Sequence, residues 1–90
     1  MTVTVIFSVP GMTAAQYDHV MADLDKAGAS APAGRLYHNA AAKPDGWLVV
    51  DVWESPAYLD AFAQTLMPVL AQNGVTPPQP QVYPTHNIVA

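Results

Sequence analysis

The chain has 90 residues, no cysteine and only 11% charged residues, and its formal net charge is −4. This length predicts one domain spanning residues 1–90, and the missing cysteine excludes disulfides and thiolate metal sites. Only Lys26, Arg35 and Lys43 are basic, so no basic patch indicates binding to nucleic acid or to an anionic membrane.

Two further features of the composition bear on location and assembly. No apolar run approaches the ~18 residues of a membrane span, and the N-terminus lacks the basic and long apolar regions of a signal peptide. We therefore expect a cytoplasmic protein. A chain this short buries only roughly 60–65% of its unfolded surface, and its charge content is low for the surface of a small monomer. A homodimer would cover the remaining apolar surface.

The first third of the chain predicts a strand and a helix. Apolar and polar residues alternate over residues 2–8, which is typical of a strand, and Pro10-Gly11 ends it. Thr13 and Gln16 have the spacing of a capping box, and apolar residues then recur at helical spacing. Gly28 is a natural helix-ending residue, so the first helix is predicted over residues 13–27.

The middle of the chain predicts a hairpin followed by a second helix. Residues 35–41 and 47–53 are strand-like, and the turn between them contains Pro44 and Gly46. Ser55 offers an N-cap oxygen and Pro56 fits the first helical position. Pro68 should kink or end this helix because it has no N–H to donate to the Gln64 carbonyl.

The last segment completes the fold prediction. Residues 75–80 contain three prolines and predict an extended linker. A final strand is predicted over residues 81–89, at a sheet edge or with a bulge because of Pro84. The order β-α-β-β-α-β predicts an α+β, ferredoxin-like domain with a four-stranded antiparallel sheet.

The segment Val52-Trp53-Glu54-Ser55 before the second helix, together with Phe62 within it, resembles the dimeric α+β barrel superfamily, including its antibiotic-biosynthesis-monooxygenase type. The resemblance covers nearly the whole chain. It implies a homodimeric α+β barrel in which two sheets face each other and a pocket lies between each sheet and its own helices. Members include cofactor-independent monooxygenases, cyclases, isomerases and haem-degrading enzymes, so the fold alone does not select an activity.

The haem-degrading members bind iron through a histidine on the second helix. The predicted second helix here contains no histidine. We therefore expect no haem, no metal and no other cofactor.

Asp51 is the one charged residue in its predicted strand, on the same face as Trp47 and Trp53. Burying a lone carboxylate is costly, so a partner is expected. The hairpin register decides which one. An even-numbered loop places His38 opposite Asp51, whereas a three-residue loop with a glycine bulge places Asn39 there. We prefer His38 because the two side chains would satisfy each other's hydrogen-bonding groups.

A histidine paired with a carboxylate can serve as a general base, since the carboxylate orients the ring and fixes its tautomer. His38 and Asp51 are therefore the candidate catalytic residues, and a purely structural hydrogen bond is the alternative. The candidate ligand-binding residues are three aromatic side chains predicted to face the pocket, together with a tryptophan beside the turn and a histidine of the last strand: Trp53, Tyr17, Phe62, Trp47 and His86. For Trp47 we favour packing in the core or at an interface, and for His86 a half-exposed position on the edge strand. The three histidines have no metal-ligand spacing.

The sequence thus predicts a small-molecule-binding α+β barrel protein whose ligand is apolar or aromatic and polyketide-like. If it is an enzyme, cofactor-independent oxygenation, cyclisation or isomerisation fits best. The alternative is a non-catalytic ligand-binding or stress-response dimer.

Overall fold

Four strands and two helices follow one another in the predicted order. The computed structural model describes residues 1–89 of the chain. The elements, in order, are β1 Val3–Pro10, α1 Ala14–Lys26, β2 Arg35–Lys43, β3 Gly46–Trp53, α2 Pro56–Gln72 and β4 Gln81–Pro84. The antiparallel strands are ordered β2-β3-β1-β4 in one sheet. The predicted α+β, ferredoxin-like architecture is confirmed.

The two helices cover one face of the sheet. The buried core joins odd-numbered residues of β1 and β3 to the inner faces of α1 and α2, and its most enclosed side chains are Trp53, Leu24, Val5 and Val20. Because side chains alternate along a strand, the even-numbered residues of β3 lie on the opposite, open face. Leu48 and Val50 are half-buried there, and Val52 is buried.

The start of α1 is fixed by its predicted capping box. The Gln16 amide N–H donates to the Thr13 hydroxyl at 3.1 Å, and the Thr13 N–H donates to the Gln16 side-chain oxygen at 3.0 Å. Gln16 also donates from its amide group to the Asn73 carbonyl at 3.2 Å, which ties α1 to the end of α2. These hydrogen bonds fix the first turn of α1, which carries Tyr17 of the candidate site.

The second helix begins where predicted, but without the predicted cap. Ser55 occupies the N-cap position and Pro56 the first turn, but the Ser55 side chain makes no capping hydrogen bond. Of the two effects predicted for Pro68, the ending of the helix does not occur, since α2 continues through Gln72. Packing of Val69 and Leu70 into the core compensates for the backbone hydrogen bond that Pro68 cannot make.

The last strand is shorter than predicted. It ends at Pro84, which pairs with Val3, the first residue of β1. One further backbone hydrogen bond follows, from the Thr85 N–H to the Thr2 carbonyl at 3.0 Å. The edge position expected from Pro84 is confirmed, since β4 is the outer strand beside β1.

Candidate functional site

The β2–β3 hairpin brings His38 and Asp51 together. Lys43 pairs with Gly46 across a two-residue turn, and the same register places His38 opposite Asp51. This is the register preferred from the sequence, and the one that would have paired Asn39 with Asp51 is wrong. The His38 Nδ1 and Asp51 Oδ1 atoms are 2.6 Å apart. Asp51 is only 4% exposed, so this hydrogen bond supplies the partner that a buried carboxylate needs.

Tyr17 extends this pair into a chain of three side chains. It lies in the first turns of α1, and its hydroxyl is 2.6 Å from the Nε2 atom of His38. An ionised carboxylate can only accept a hydrogen bond, so His38 carries its proton on Nδ1 and donates it to Asp51. The Nε2 atom of neutral His38 then accepts a hydrogen bond from the Tyr17 hydroxyl.

Both oxygens of Asp51 have donors. The indole N–H of Trp53 donates to Asp51 Oδ2 at 3.4 Å, a longer contact than the one from His38. Trp53 is fully buried, and its ring packs on Phe62 with ring centroids 5.5 Å apart. Trp53 thus supports the carboxylate from behind and holds it in one orientation.

A cavity lies between the sheet and the two helices, and the three-residue chain is part of its wall. Its volume is about 70 Å³. Apart from Tyr17, His38, Asp51 and Arg35, its lining side chains are apolar. They come from β1, the turn that follows it, α1, β3, α2 and the linker: Phe7, Val9, Met12, Val20, Met21, Leu24, Val49, Phe62, Leu66, Met67, Leu70, Val75, Pro77 and Pro78. The exposed lining residues Met67 and Pro77 mark the side on which the cavity opens to solvent.

The electrostatic environment keeps Tyr17 neutral. Burial raises the pKa of the Tyr17 hydroxyl from its ordinary value of 10.0, and the charges of Asp51 and Asp18 act in the same direction. The positive charge of Arg35 opposes this rise in pKa. At neutral pH the Tyr17 hydroxyl is therefore a hydrogen-bond donor to His38.

The predicted ligand-binding residues do not all reach this cavity. Tyr17 and Phe62 line it. Trp53 does not, contrary to the expectation that it forms a wall, because its ring lies behind Asp51 and Phe62. Trp47 packs against Tyr17 with centroids 5.2 Å apart but is likewise outside the lining. His86 follows the end of β4, is exposed, and is not part of the wall.

Two features of the site were not predicted. The first is the hydrogen bond from Tyr17 to His38, although the position of Tyr17 at the start of the apolar face of α1 indicated that its ring points at the sheet. The second is Arg35. The pairing of Arg35 with Trp53, followed by Tyr37 with Val52, marks a β-bulge that brings Arg35 to the helix-covered face. No residue pattern in this segment signals such a bulge.

Within residues 1–89, no cluster of three or more His, Cys, Asp or Glu side chains is placed to hold a metal ion. Across the same residues, neither helix combines the length and apolar character that crossing a bilayer requires.

The comparison with solved structures identifies the fold. No protein-family model and no curated protein matches the chain. Among solved structures, a candidate antibiotic biosynthesis monooxygenase from Chloroflexus aurantiacus is similar, with 21% identity, a TM-score of 0.67, and coverage of 99% of this chain and 98% of that one. A candidate antibiotic biosynthesis monooxygenase from Deinococcus radiodurans has 13% identity, a TM-score of 0.61, and coverage of 100% and 97%.

A third similar structure is SnoaB, a cofactor-independent oxygenase from Streptomyces nogalater. It has 13% identity and a TM-score of 0.63, and the match covers 98% of this chain and 94% of that one. The resemblance inferred from the sequence is confirmed at the level of the fold. At these identities the likeness establishes the fold alone, and the activity has to be argued from the site.

Proposed function

We propose that the protein binds a small, largely apolar or aromatic, polyketide-like molecule between its sheet and its helices and catalyses a proton-transfer reaction on it without a cofactor. The observation that carries this proposal is the chain Tyr17–His38–Asp51 in the wall of an otherwise apolar cavity. Apolar walls with a few convergent polar groups are typical of small-molecule sites.

The three side chains are arranged for a proton relay. A substrate C–H or O–H acid beside the Tyr17 hydroxyl transfers its proton to Oη as the Tyr17 proton moves to Nε2 of His38. His38 then carries a proton on both ring nitrogens, and the Asp51 carboxylate at 2.6 Å stabilises the positive charge. The raised pKa of Tyr17 disfavours a lasting tyrosinate, so His38 is the base and Tyr17 the relay.

The deprotonated substrate determines the outcome of the reaction. Its carbanion can be reprotonated at another carbon, which is isomerisation, or can attack a carbonyl carbon of the same molecule, which is cyclisation. It can also form a C–O bond with dissolved dioxygen, which takes up the electron pair of the carbanion. The resulting peroxide accepts the proton held by His38, and its O–O bond breaks as water leaves and a ketone forms. The likeness to the cofactor-independent oxygenase SnoaB supports testing oxygenation first.

We also propose that the chain forms a homodimer through the open face of its sheet. Leu48 and Val50 are only half-buried there, and Tyr37 and Tyr83 are about half exposed at 47% and 53%. Pairing two such faces would bury these apolar side chains, and a twofold interface needs only one self-complementary surface. Light scattering at micromolar protein should give twice the monomer mass, and a monomer mass would overturn this part of the proposal.

Oxygen uptake with the anthrone dithranol tests the proposed chemistry. The wild-type protein should increase the rate above that of dithranol alone, and the rate should scale with protein concentration. Tyr17→Phe and His38→Gln should each lower the protein-dependent rate by roughly 100-fold, in line with the contribution of positioned acid–base groups. Tyr58→Phe, at an exposed position of α2, should keep the wild-type rate.

Proton transfer that ends in isomerisation or cyclisation would not consume oxygen. Exchange of the acidic dithranol protons for deuterium, followed by NMR, detects the deprotonation step itself. If the protein binds dithranol but accelerates neither oxygen uptake nor exchange, the catalytic proposal fails and the non-catalytic, ligand-binding alternative replaces it.

A further inference from the structure

Among the Lys and Arg side chains of residues 1–89, Arg35 alone lies in the cavity wall. Lys26 ends α1 and is exposed. Lys43 donates to the Ser8 hydroxyl at 2.7 Å and pairs with Asp45 at 3.4 Å. The cavity of a chain with a net charge of −4 thus contains one guanidinium group.

The charge of Arg35 has no carboxylate partner among the described residues, where the ion pairs are His38–Asp51 and Lys43–Asp45. Among the same residues, the guanidinium group of Arg35 makes one hydrogen bond, from Nη2 to the Ser30 carbonyl at 3.2 Å. A guanidinium has five N–H donors in a fork that matches a carboxylate. Most of this donor capacity is therefore unused by the protein.

The position of Arg35 is fixed by packing and by the strand. Its guanidinium carbon lies 5.8 Å from the centre of the Phe62 ring, a cation–π distance. The β-bulge after Arg35 places its side chain on the same face as His38 and Asp51. The positive charge of Arg35 also lowers the pKa of the Tyr17 hydroxyl, against the larger rise that burial causes.

We infer that Arg35 selects ligands carrying one carboxylate, which binds the guanidinium while the apolar body of the ligand fills the cavity beside Phe62. The inference rests on the proposed function and specifies its substrate class as an aromatic or alicyclic carboxylic acid. A single carboxylate fits better than a phosphate, because one guanidinium compensates one negative charge and Asp51 adds a negative charge to the same wall. The Tyr17–His38 pair then faces the ring and not the acid group.

The test compares 2-naphthoate with its neutral analogue 2-naphthamide, with dissociation constants measured by NMR titration at neutral pH. The wild-type protein should bind 2-naphthoate about tenfold or more tightly than 2-naphthamide, since a hydrogen-bonded charge pair contributes that much. Arg35→Gln should remove this preference, because it should weaken 2-naphthoate binding about tenfold more than 2-naphthamide binding. Lys43→Gln removes the same charge away from the cavity and should keep the preference.

Arg35→Lys retains the charge without the fork and should show an intermediate preference, which keeps the test decisive if Arg35→Gln does not fold. Equal affinities of the wild-type protein for the two compounds would overturn the role of Arg35 while leaving the apolar site intact. If Arg35→Gln and Lys43→Gln lost the preference for 2-naphthoate equally, the role of Arg35 would also be overturned, because the preference would then depend on net charge alone. Failure of both compounds to bind would instead refute the proposed function.

Discussion

Replacing Asp51 with Asn separates the hydrogen-bonded chain from simple packing, because the two side chains have nearly the same shape. The carboxylate accepts from His38 at 2.6 Å and from Trp53 at 3.4 Å. An amide has only one accepting oxygen. If that oxygen faces His38, the amide NH₂ opposes the indole N–H of Trp53, and two buried donors are left without an acceptor.

In the other orientation the amide NH₂ faces Nδ1 of His38, and the His38 proton must move to Nε2. Tyr17 then has to accept the hydrogen bond, and its own hydroxyl proton points into the apolar cavity. Losing a charge-assisted hydrogen bond and leaving a buried donor unpaired each cost ~1–3 kcal/mol. Relief from burying a charge offsets part of this loss. We expect a net loss of about 1–2 kcal/mol in the free energy of unfolding.

For a domain of this size that loss corresponds to a Tm lower by about 4–16 °C. Circular dichroism during heating measures it, and Asp60→Asn at an exposed position of α2 is the matched control. Nitrogen-15 NMR of the His38 ring should give the Nδ1–H tautomer in the wild type and a shift towards Nε2–H in the variant. An Nε2–H tautomer in the wild-type protein, or a variant with unchanged tautomer and Tm, would refute the chain as described.

Three further predictions follow from particular residues. Tyr17 should be the last tyrosine to ionise in an alkaline absorbance titration, because burial raises its pKa above 10.0. Its contribution to stability should be fully present below pH 10.0 and be lost as the pH rises through the raised pKa; four tyrosines ionising together would contradict this. Gly46→Ala should lower the free energy of unfolding by about 1–3 kcal/mol, because the added Cβ would clash with the Val9 carbonyl oxygen, and wild-type stability in urea would argue against that contact. Pro68→Ala should raise the free energy of unfolding by about 1–2 kcal/mol, since it restores a backbone N–H donor to the Gln64 carbonyl. An unchanged midpoint of urea unfolding would show that this restored hydrogen bond does not stabilise the protein.

The pairing of His38 with Asp51 was predictable because it depends on local turn chemistry. The turn residues Pro44 and Asp45, flanked by alternating strands, restrict the hairpin to two registers. The cost of a lone buried carboxylate then favours one of them. Asp51 is recognisable from the sequence alone, since it is the one charged residue in an otherwise apolar strand.

Arg35 and Trp53 show where sequence reasoning stops. Strict alternation in the observed register would have placed Arg35 on the open face with Tyr37 and Asn39. The bulge between Arg35 and Tyr37 reverses its face, and nothing local requires it. Trp53 was assigned to the correct face, but whether a buried ring lines a cavity or lies behind its wall depends on how Phe62 packs on it.

The fold could be predicted almost completely because its elements begin and end at residues with strong local preferences. Thr13, Gly28 and Pro56 fix helix ends in this way. The exceptions depend on tertiary structure. α2 continues through Pro68 because core packing stabilises it, and β4 ends at Pro84, which pairs with the first residue of β1.

The central claim is that an apolar aromatic ligand binds beside the Tyr17–His38–Asp51 chain. The most direct test is an NMR titration of isotope-labelled protein with 2-naphthol, observing backbone amides and the His38 ring nitrogens. The account predicts saturable shifts at Phe7, Val49 and Leu66, which line the cavity, and at the His38 ring. Shifts confined to Leu48 and Val50 on the open face of the sheet, or no saturable shifts, would contradict it.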